Sequence, residues 1–517
     1  MNPIELNLFH SRITAVCDEM GTVLRRTAFS PNIKDRLDFS CAVFDPAGSL
    51  CAQAAHIPVH LGSMAYAMRA IVNDLEWAPG DTLVLNDPFL GGTHLPDVTL
   101  VSPVFEQAGR ALAGFVANRA HHADIGCDSP GSMPLSRSLH EEGRIIPPTF
   151  LFRQGELQSA ALQLLSGRPV LDTDFAAQYS ANSSGVQRLL DLVQRLGLPG
   201  YLAGLAELND YADRLAGSAL EQLRPGRYRF QDFMDDDGAG QRDIPIAVEL
   251  TIERERATVD FSGTAAQVRG NLNCPESVAA AAAFYAFRCL MPDFTPACEG
   301  AFRRIKLRTE EGSLVNALRP AAVAAGNVET STRLVDVIFG ALAQALPDRI
   351  PAASQGSMNN VAMGHIDPHT GNRWDYYETL AGGTGAGPHQ NGLDAAHSHM
   401  TNTLNTPVES VEMHYPLRIR RYALRHGSGG GGQRCGGEGL VREYEFLAEA
   451  QVSLLTERRY RPPWGLAGGE AGAAGKNLLN GRLLAPKVSF TARTGDRLVI
   501  ATPGGGGHGA DTDPPAV

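Results

Sequence analysis

The sequence predicts an α+β protein, a large composite domain of several layers with mixed sheets, N-terminal helices and a glycine-rich, β-rich C-terminal part. Three observations predict this class. Apolar residues recur at helical spacing over 7–29 and 173–223. Strand-like runs follow one another without the regular alternation with helices that a parallel sheet requires. Many of the 55 glycines gather in five clusters, four of them from residue 381 onward.

The first third predicts helices and strands in a fixed order. 'NLFHSRITAVCDEMGTVLRRTAF' is typical of a helix that ends before Pro31, since proline cannot continue it. 'DFSCAVFD' and 'GSLCAQ' predict a hairpin, and 'HLGSMAYAMRAIVNDL' predicts a second helix. Three strands follow: 'DTLVLND', 'DVTLVSPVF' and 'RALAGFVANRAHH'. Two histidine–aspartate clusters therefore lie at strand ends, where scaffolds usually present functional groups.

The rest of the chain predicts two further regions. Helices are expected over 173–223, 274–291 and 330–345, with antiparallel strands between the first two. Beyond residue 351, short strands alternate with glycine clusters, which indicate backbone bends with positive φ or close approaches between chain segments. Tight turns are the simpler interpretation, and the lining of a cleft is the functional alternative. We therefore predict an N-terminal α+β metal-site region (1–170), a helical and antiparallel-strand region (171–350) and a glycine-rich, β-rich region (351–517).

Composition excludes several classes of protein. Hydrophobic residues make up 43% and charged residues 20%, a normal balance for a globular chain. The net charge is −11 and no basic run occurs, which argues against a nucleic-acid partner. The apolar run 278–287 is too short to span a membrane, and the N-terminus does not resemble a secretory signal. The eight cysteines are scattered singly. A cytoplasmic location is the expectation.

The stretches 'GGTHLPDV' and 'RAHHADIG' are the strongest candidates for a metal site. Histidine nitrogen and aspartate oxygen are the usual ligands of zinc and also accept manganese or iron. His94 and Asp97 lie three apart around a glycine turn, and His121 or His122 would add a third ligand. Side chains alternate on a strand, so only one of the two histidines is expected to coordinate. Asp124 would be a fourth ligand or an outer partner. The alternative is an ordinary polar loop.

Nucleotide motifs are imperfect. 'GGEAGAAGKN' resembles a phosphate-binding loop, but five residues separate Gly469 from Gly475 where four are required, and Asn477 replaces the Ser or Thr. 'GSGGGGQ' contains a formal GxGxxG pattern, but the following 'QRCGGEG' cannot open a helix. We interpret neither as an ATP or dinucleotide site.

Other reactive residues are weaker candidates. No GxSxG nucleophile motif occurs in the sequence. Cys127 could act as a nucleophile, although a small residue filling a turn is the simpler interpretation. His397 and His399 lie two apart and could bind a metal. Glu329 and Glu378 flank turn residues and could be buried acids.

The chain as a whole resembles the hydantoinase B/oxoprolinase family, which includes B subunits of ATP-dependent hydantoinases, half of 5-oxoprolinase, and subunits of acetone and acetophenone carboxylases. The resemblance extends in one order from residue 36 to about 509. The segments that carry it are 'RLDFSCAVFD', 'NDPFLGGTHLPDVTLVSPVF', 'RAHHADIGCDSPGSMP', 'EEGRIIPP', 'GNVETSTRLVDVIFGALA', 'YYETLAGGTGAG', 'MTNTLNTPVESVE', 'PPWGLAGGEAG' and 'TPGGGGHG'. Cys127 departs from the pattern, because relatives usually have glycine there.

The resemblance implies a heteromeric hydrolase of carbon–nitrogen bonds in cyclic amides. A partner A-type subunit would bind ATP and phosphorylate the carbonyl oxygen of a small cyclic amide. The B-type chain would hold a divalent metal ion, with zinc expected first and manganese or iron as alternatives, and open the ring. Two other functions stay open: a subunit of an ATP-dependent ketone carboxylase, and a non-catalytic scaffold for the A subunit.

The resemblance also implies the ligands. Carried over position by position, they are Asp38, His94, Asp97 and His121, with His122 as the substitute for the last. Asp38 is supplied by the resemblance alone. The expected catalytic residues are Asp124 and His122, which would orient a ligand or relay a proton as the ion delivers hydroxide to the ring carbon.

Overall fold

The computed structural model describes residues 1–54, 57–60, 62–106, 111–164, 174–366 and 373–511, and it confirms the α+β class. Among these residues the chain forms nine α-helices and twenty β-strands in four sheets. The predicted region boundary at 170/171 lies outside the described residues.

The helices are α1 (Pro3–Thr27), α2 (Pro31–Lys34), α3 (Ser63–Ile71), α4 (Ser159–Leu164), α5 (Asp174–Leu196), α6 (Leu198–Leu220), α7 (Glu276–Arg288), α8 (Ser331–Ala345) and α9 (Val408–His414). The strands are β1 (Phe39–Phe44), β2 (Leu50–Ala54), β3 (Thr82–Leu85), β4 (Asp97–Phe105), β5 (Leu112–His121), β6 (Thr149–Arg153), β7 (Glu156–Leu157), β8 (Gly226–Asp236), β9 (Arg242–Glu253), β10 (Arg256–Asp260), β11 (Ile305–Arg308), β12 (Asn360–Ile366), β13 (Arg373–Glu378), β14 (Leu417–Arg425), β15 (Gly439–Phe446), β16 (Ala450–Leu455), β17 (Lys476–Leu479), β18 (Arg482–Leu483), β19 (Lys487–Ala492) and β20 (Arg497–Ala501).

The first sheet is antiparallel, in the order β2-β1-β5-β4-β3-β6-β7. Helices cover both of its faces, because its central strands are apolar on both sides. Val116 of β5 packs with Met20 of α1 and Leu189 of α5. Its neighbour Phe115 packs on the opposite face with Met68 of α3. The hairpin, the first two helices and the three strands predicted here are confirmed.

Strand register in this sheet brings the sequence-predicted ligands together. Asp97 begins β4 directly opposite His121, which ends β5. On the other side of β5, the backbone N–H of His121 donates to the carbonyl of Asp38, just before β1, at 3.0 Å. His94 lies in the loop that joins β3 to β4. The start of β4, the end of β5, the residue before β1 and the loop from β3 to β4 therefore lie together at the same end of these strands.

The second sheet, in the order β11-β10-β9-β8, packs against α7 and α8. A π-helical turn, Gly326–Thr330, leads directly into α8. The other two sheets, β13-β12-β16-β19 and β14-β15-β20-β17-β18, share an apolar core that includes Val361, Tyr444 and Ile500. Within the described part of the chain, no helix combines the length and apolar character needed to cross a bilayer.

Segments 382–387, 428–439, 464–472 and 503–509 form an array of backbone packed on backbone, which we call the glycine array. Gly505 shows the pattern: its N–H donates to the carbonyl of Gly437, and its own carbonyl accepts from Gly430, both at 2.9 Å. Among the glycines of the array, positive φ is confined to Gly432, Gly468 and Gly509. Close approach between chain segments, one of the two roles that the glycine clusters predict, therefore describes glycines such as Gly505, whereas positive φ applies to few of them.

Candidate metal centre

His94, Asp97 and His121 form the one group of three or more histidine, cysteine or acidic residues in the described chain whose ligand atoms could share an ion. All three side chains are buried. Oδ1 of Asp97 lies 3.1 Å from Nε2 of His94 and 3.4 Å from Nδ1 of His121. One carboxylate oxygen thus lies between two imidazoles.

The spacing and the free nitrogens fit a metal ion. Bonds of about 2.0–2.1 Å to a tetrahedral zinc ion separate neighbouring donor atoms by about 3.3 Å, which is close to both distances. Nε2 of His94 and Nε2 of His121 are buried and have no hydrogen-bond partner among the described residues. Because buried polar atoms are normally satisfied, the free Nε2 of His94, which is the nitrogen that faces Asp97, suggests a missing partner. On His121 the nitrogen 3.4 Å from Asp97 is Nδ1, not the free Nε2. The donor set of two nitrogens and one carboxylate suits zinc, manganese or iron.

The second oxygen of Asp97, Oδ2, faces protein donors. It accepts a hydrogen bond from the Thr93 hydroxyl and one from Nδ2 of Asn327 at 3.4 Å, and it lies 3.3 Å from Nε2 of His60. Burial acts to raise the pKa of Asp97, but the charge of His94 and the neighbouring His121 and His60 imidazoles hold it well below its usual range. Asp97 is therefore ionised, as a metal ligand must be.

The two imidazoles differ in their pKa. Burial lowers the pKa of both rings. For His94 burial is the largest single influence, but the charge and hydrogen bond of Asp97, the Ala324 carbonyl and the charge of Asp38 together outweigh it, and the pKa is raised above its ordinary value. For His121 burial dominates, and the pKa is lowered. A metal ion would compete with a proton at His94 and meet a neutral ring at His121.

The orientation of His94 is fixed by a second layer of contacts. Its Nδ1 lies 3.2 Å from the carbonyl of Ala324, so this nitrogen donates and Nε2 keeps its lone pair for the centre. The N–H groups of Val323 and Ala324 both donate to Oε1 of Glu142, at 2.8 and 2.9 Å. Glu142 is fully buried. Glu142 therefore fixes the peptide between Val323 and Ala324, and the Ala324 carbonyl in turn positions the His94 ring.

Asp38 faces the same cavity but stands outside the group of three. Its carboxylate Oδ2 lies 3.7 Å from Nη2 of Arg36. Arg36 also donates to the carbonyl of Tyr377 at 3.2 Å, and its guanidinium lies 4.8 Å from the ring centre of Tyr377. That ring stacks on His121 at 4.9 Å. Asp38 therefore lies beside the centre, directed towards Arg36.

The cavity has a volume of about 20 Å³, room for roughly one water molecule. Its walls combine polar and apolar side chains from all three predicted regions. They are Asp38, Ile57, Val59, His60, Asp97, His121, Asn327, Val328, Met358, Tyr377, Thr379, Met400, Thr401 and Thr403.

His122 and Asp124 lie elsewhere, and neither lines the cavity. Strand alternation turns His122 to the other face of the sheet, where its Nε2 lies 2.8 Å from Oε1 of Gln178. Asp124 accepts the N–H of Gly126 at 2.9 Å and lies 3.7 Å from Nη1 of Arg373. The structure thus brings together three of the four expected ligands and neither expected catalytic residue.

The weaker candidates receive structural roles. Burial raises the pKa of Cys127 to about 11, so its thiol is a poor nucleophile. His399 lies 3.0 Å from Asp336, and the described residues form no metal group around it. Glu329 and Glu378 are fully buried, which confirms their interpretation as buried acids. Burial raises the pKa of Glu329 to about 8.

Several residues of the centre carried no signal in the sequence. The sequence reasoning did not single out His60, although it ends the stretch 'HIPVH', and Asn327 lies 230 residues from Asp97. Glu142 acts through backbone atoms of a distant loop. Glu142 and Asn327 lie in 'EEGRIIPP' and 'GNVETS', two segments that carry the family resemblance, but the sequence of these segments does not indicate what the two side chains contact.

Comparison with known proteins places these features in context. A sequence model of the family described as hydantoinase B/oxoprolinase matches residues 2–511. A 5-oxoprolinase from Dictyostelium discoideum is 40% identical over 98% of this chain, but the chain spans only 40% of that relative. The structure of an ATP-dependent caprolactamase from Pseudomonas jessenii superposes with a TM-score of 0.91 and 28% identity, covering 99% of this chain and 91% of that one. An acetone carboxylase structure has a TM-score of 0.86 at 18% identity, covering 98% and 76%, and so shares the fold.

Proposed function

This chain belongs to the hydantoinase B/oxoprolinase family, and from that premise we propose that it is the metal-dependent B-type subunit of an ATP-dependent cyclic-amide hydrolase. It would open the ring of a small lactam or imide that a partner A-type subunit has phosphorylated with ATP. The observation that carries the proposal is the buried group of His94, Asp97 and His121. The names 5-oxoprolinase and caprolactamase support lactams as the substrate class.

A separate partner chain would explain why a 5-oxoprolinase relative is much longer than this chain. The chain spans 40% of the 5-oxoprolinase from Dictyostelium discoideum, so that relative extends well beyond the matched part. We propose that a separate A-type chain supplies the corresponding ATP-binding part in a hetero-oligomer.

We propose His94, Asp97 and His121 as ligands, with zinc as the first choice of metal and manganese or iron as alternatives. Asp38 is the proposed fourth ligand, because its carboxylate faces the same cavity. When bound, such an ion would lower the pKa of a coordinated water from 15.7 to about 7. The chain's own contribution is to hold Oδ1 of Asp97 towards the centre, because Thr93, Asn327 and His60 engage Oδ2.

His60 is our candidate for holding a proton during ring opening. It lines the cavity, its Nε2 lies 3.3 Å from Asp97, and its Nδ1 lies 2.9 Å from the Ser40 hydroxyl. A positioned imidazole is the commonest general acid or base. The role predicted for His122 and Asp124 passes to His60, since neither of them lines the cavity.

The ketone-carboxylase alternative rests on shared fold alone, at 18% identity. Assaying the reconstituted pair with and without bicarbonate separates the two reactions, because only a carboxylase consumes it. A scaffold without catalytic function need hold no stoichiometric metal ion, so metal analysis of the purified chain tests that alternative.

The test is to purify the chain with its A-type partner and to replace His94 with Ala or Asp97 with Asn. We expect zinc content measured by mass spectrometry to fall, and ATP-dependent lactam opening to fall by more than the roughly 10–100-fold that loss of an outer partner costs. His414→Ala removes an exposed imidazole on α9 and should change neither measurement. Full lactam opening by the Asp97→Asn pair would refute the mechanism.

A further inference from the structure

One wall of the metal cavity carries three threonine hydroxyls that contact one another. Thr379, Thr401 and Thr403 all line the cavity and are all buried. Oγ1 of Thr403 lies 2.9 Å from Oγ1 of Thr379 and 3.3 Å from Oγ1 of Thr401. We call this chain of hydroxyls the threonine relay.

The relay has one hydrogen-bond donor to spare. Three hydroxyls carry three protons, but the two contacts between them use only two. Arg36 donates to Thr379 from Nη2 at 3.2 Å and, as a guanidinium, cannot accept. The N–H of Thr403 likewise donates to Thr401, at 3.4 Å. Whichever way the protons are arranged, these contacts leave one hydroxyl proton of the relay without an acceptor among the described residues.

Buried charges around the cavity favour an anion once a cation is present. Arg36 and Arg119 are both fully buried. Arg119 donates only to neutral groups, Thr99, Ser63 and Gly91, at 2.9, 2.8 and 3.1 Å. Two arginines balance the carboxylates of Asp38 and Asp97.

A divalent ion at the centre would therefore add two uncompensated positive charges in a buried site. Uncompensated buried charge is costly, so an anionic ligand would be favoured. The spare donor of the relay would face it, and the charge of Arg36 would act from behind Thr379, to which Arg36 donates.

We propose that the threonine relay and Arg36 form an oxyanion subsite beside the metal centre, an inference that rests on the proposed function. The ligand is a negatively charged oxygen of a carboxylate or a phosphoryl group. The cavity, at about 20 Å³, has room for a single oxygen-sized group. One oxygen of the anion would therefore occupy the cavity. The proposed substrate class is then a lactam that carries an anionic group, either its own carboxylate or the transferred phosphoryl group.

The test measures binding of two probes, inorganic phosphate and acetate, to the zinc-loaded chain by calorimetry, without partner or turnover. Thr403→Val interrupts the relay at its middle, and Thr403→Ser keeps the hydroxyl. The matched control is Thr406→Val, because Thr406 is buried in the same segment and its hydroxyl has no partner among the described residues.

We expect the wild-type chain to bind at least one probe, and Thr403→Val to bind it roughly tenfold more weakly, as expected for loss of a hydrogen bond to a charged group. Thr403→Ser and Thr406→Val should bind like the wild type. Phosphate binding alone would assign the subsite to the phosphoryl group, and acetate binding alone to a substrate carboxylate. If Thr403→Val fails to fold, Thr401→Val replaces it.

Two results would overturn the subsite while leaving the proposed function intact: a fully zinc-loaded chain that binds neither probe, or a Thr403→Val chain that binds as tightly as Thr406→Val. A chain that holds neither zinc, manganese nor iron would instead overturn the proposed function, and the subsite with it.

Discussion

Asp97 has a different environment at each of its two carboxylate oxygens. Oδ1 lies between two imidazoles, whereas Oδ2 is surrounded by a hydroxyl, an amide and the third imidazole, that of His60. Both sides stabilise the charged form, and the pKa of Asp97 is correspondingly low. The residue is therefore prepared to receive a cation without first losing a proton.

Glu142, which fixes the loop that positions His94, can be tested through its own titration. Burial raises its pKa to about 7, although hydrogen bonds from Ser136, Ala324 and Val323 act in the opposite direction. Its ordinary value is 4.5. Between pH 4.5 and 7, the folded chain keeps a proton that the unfolded chain has released, so this group stabilises the fold most at low pH and loses that contribution as pH rises to 7.

We therefore expect Glu142→Gln to reduce the pH dependence of stability. In the metal-free wild type, Glu142 should lower the free energy of unfolding by up to about 3 kcal/mol between pH 4.5 and 7. The variant cannot titrate and should lose this slope, as measured by urea denaturation at several pH values. Glu141→Gln, at an exposed neighbour, should keep it. Equal slopes for wild type and Glu142→Gln would contradict the assignment.

At the residue scale, sequence spacing singled out His94 and Asp97 and left His121 and His122 open, and the resemblance chose His121. Strand register pairs Asp97 with His121. Asp38 came from family resemblance alone, and its placement as a ligand stays a prediction. His60 and Glu142 could not be foreseen, because each reaches the centre through contacts that local sequence does not encode.

The helices and strands follow well from periodicity where one face is buried. β4 spans the predicted 97–105, and α8 (Ser331–Ala345) matches the predicted 330–345. The glycine clusters are the exception, because their role depends on which segments meet in space. Glycine composition signals positive φ or close approach equally well, and only the fold distinguishes the two.

Gly505→Ala tests whether glycine is required at this position because another backbone segment lies in direct contact with it. A Cβ at this position would lie 1.9 Å from the carbonyl oxygen of Thr384, a backbone atom that cannot move alone. We expect the substitution to lower the free energy of unfolding by about 3 kcal/mol, at the upper end for overpacked cores, as measured by urea denaturation.

Gly387→Ala is the matched control within the same array. Its Cβ would meet no atom nearer than 3.7 Å, so the variant should unfold like the wild type. Equal stability of the two variants would mean that the array tolerates side chains.

At the scale of the whole molecule, buried ion pairs cross the predicted boundary at 350/351. Nζ of Lys487, at the start of β19, lies 2.6 Å from Oε1 of Glu457. Oε2 of Glu457 lies 3.3 Å from Nη2 of Arg333 on α8 and accepts the N–H of Asp235 on β8 at 2.8 Å. The division into three regions stays a proposal, and these pairs suggest that the second and third unfold together.

Lys487→Met tests this coupling. The change leaves the buried carboxylate of Glu457 short of one cation, and breaking such a pair costs about 3–5 kcal/mol. We expect hydrogen exchange, followed by mass spectrometry, to speed up together in peptides from 171–350 and 351–517.

The control is Lys476→Met, at an exposed lysine that begins β17, which should leave exchange unchanged. Faster exchange confined to 351–517 in Lys487→Met would show that the third region is an independent unit.

The glycine array has a consequence for how such chains are classified. Stretches such as 'GSGGGGQRCGGEG' and 'TPGGGGHG' have the composition of a flexible tether. Here their amides and carbonyls bond to one another in the interior, with Gly505 and Gly507 buried. A method that scores disorder from composition would assign a flexible segment to a part of this protein in which backbone segments pack directly on one another.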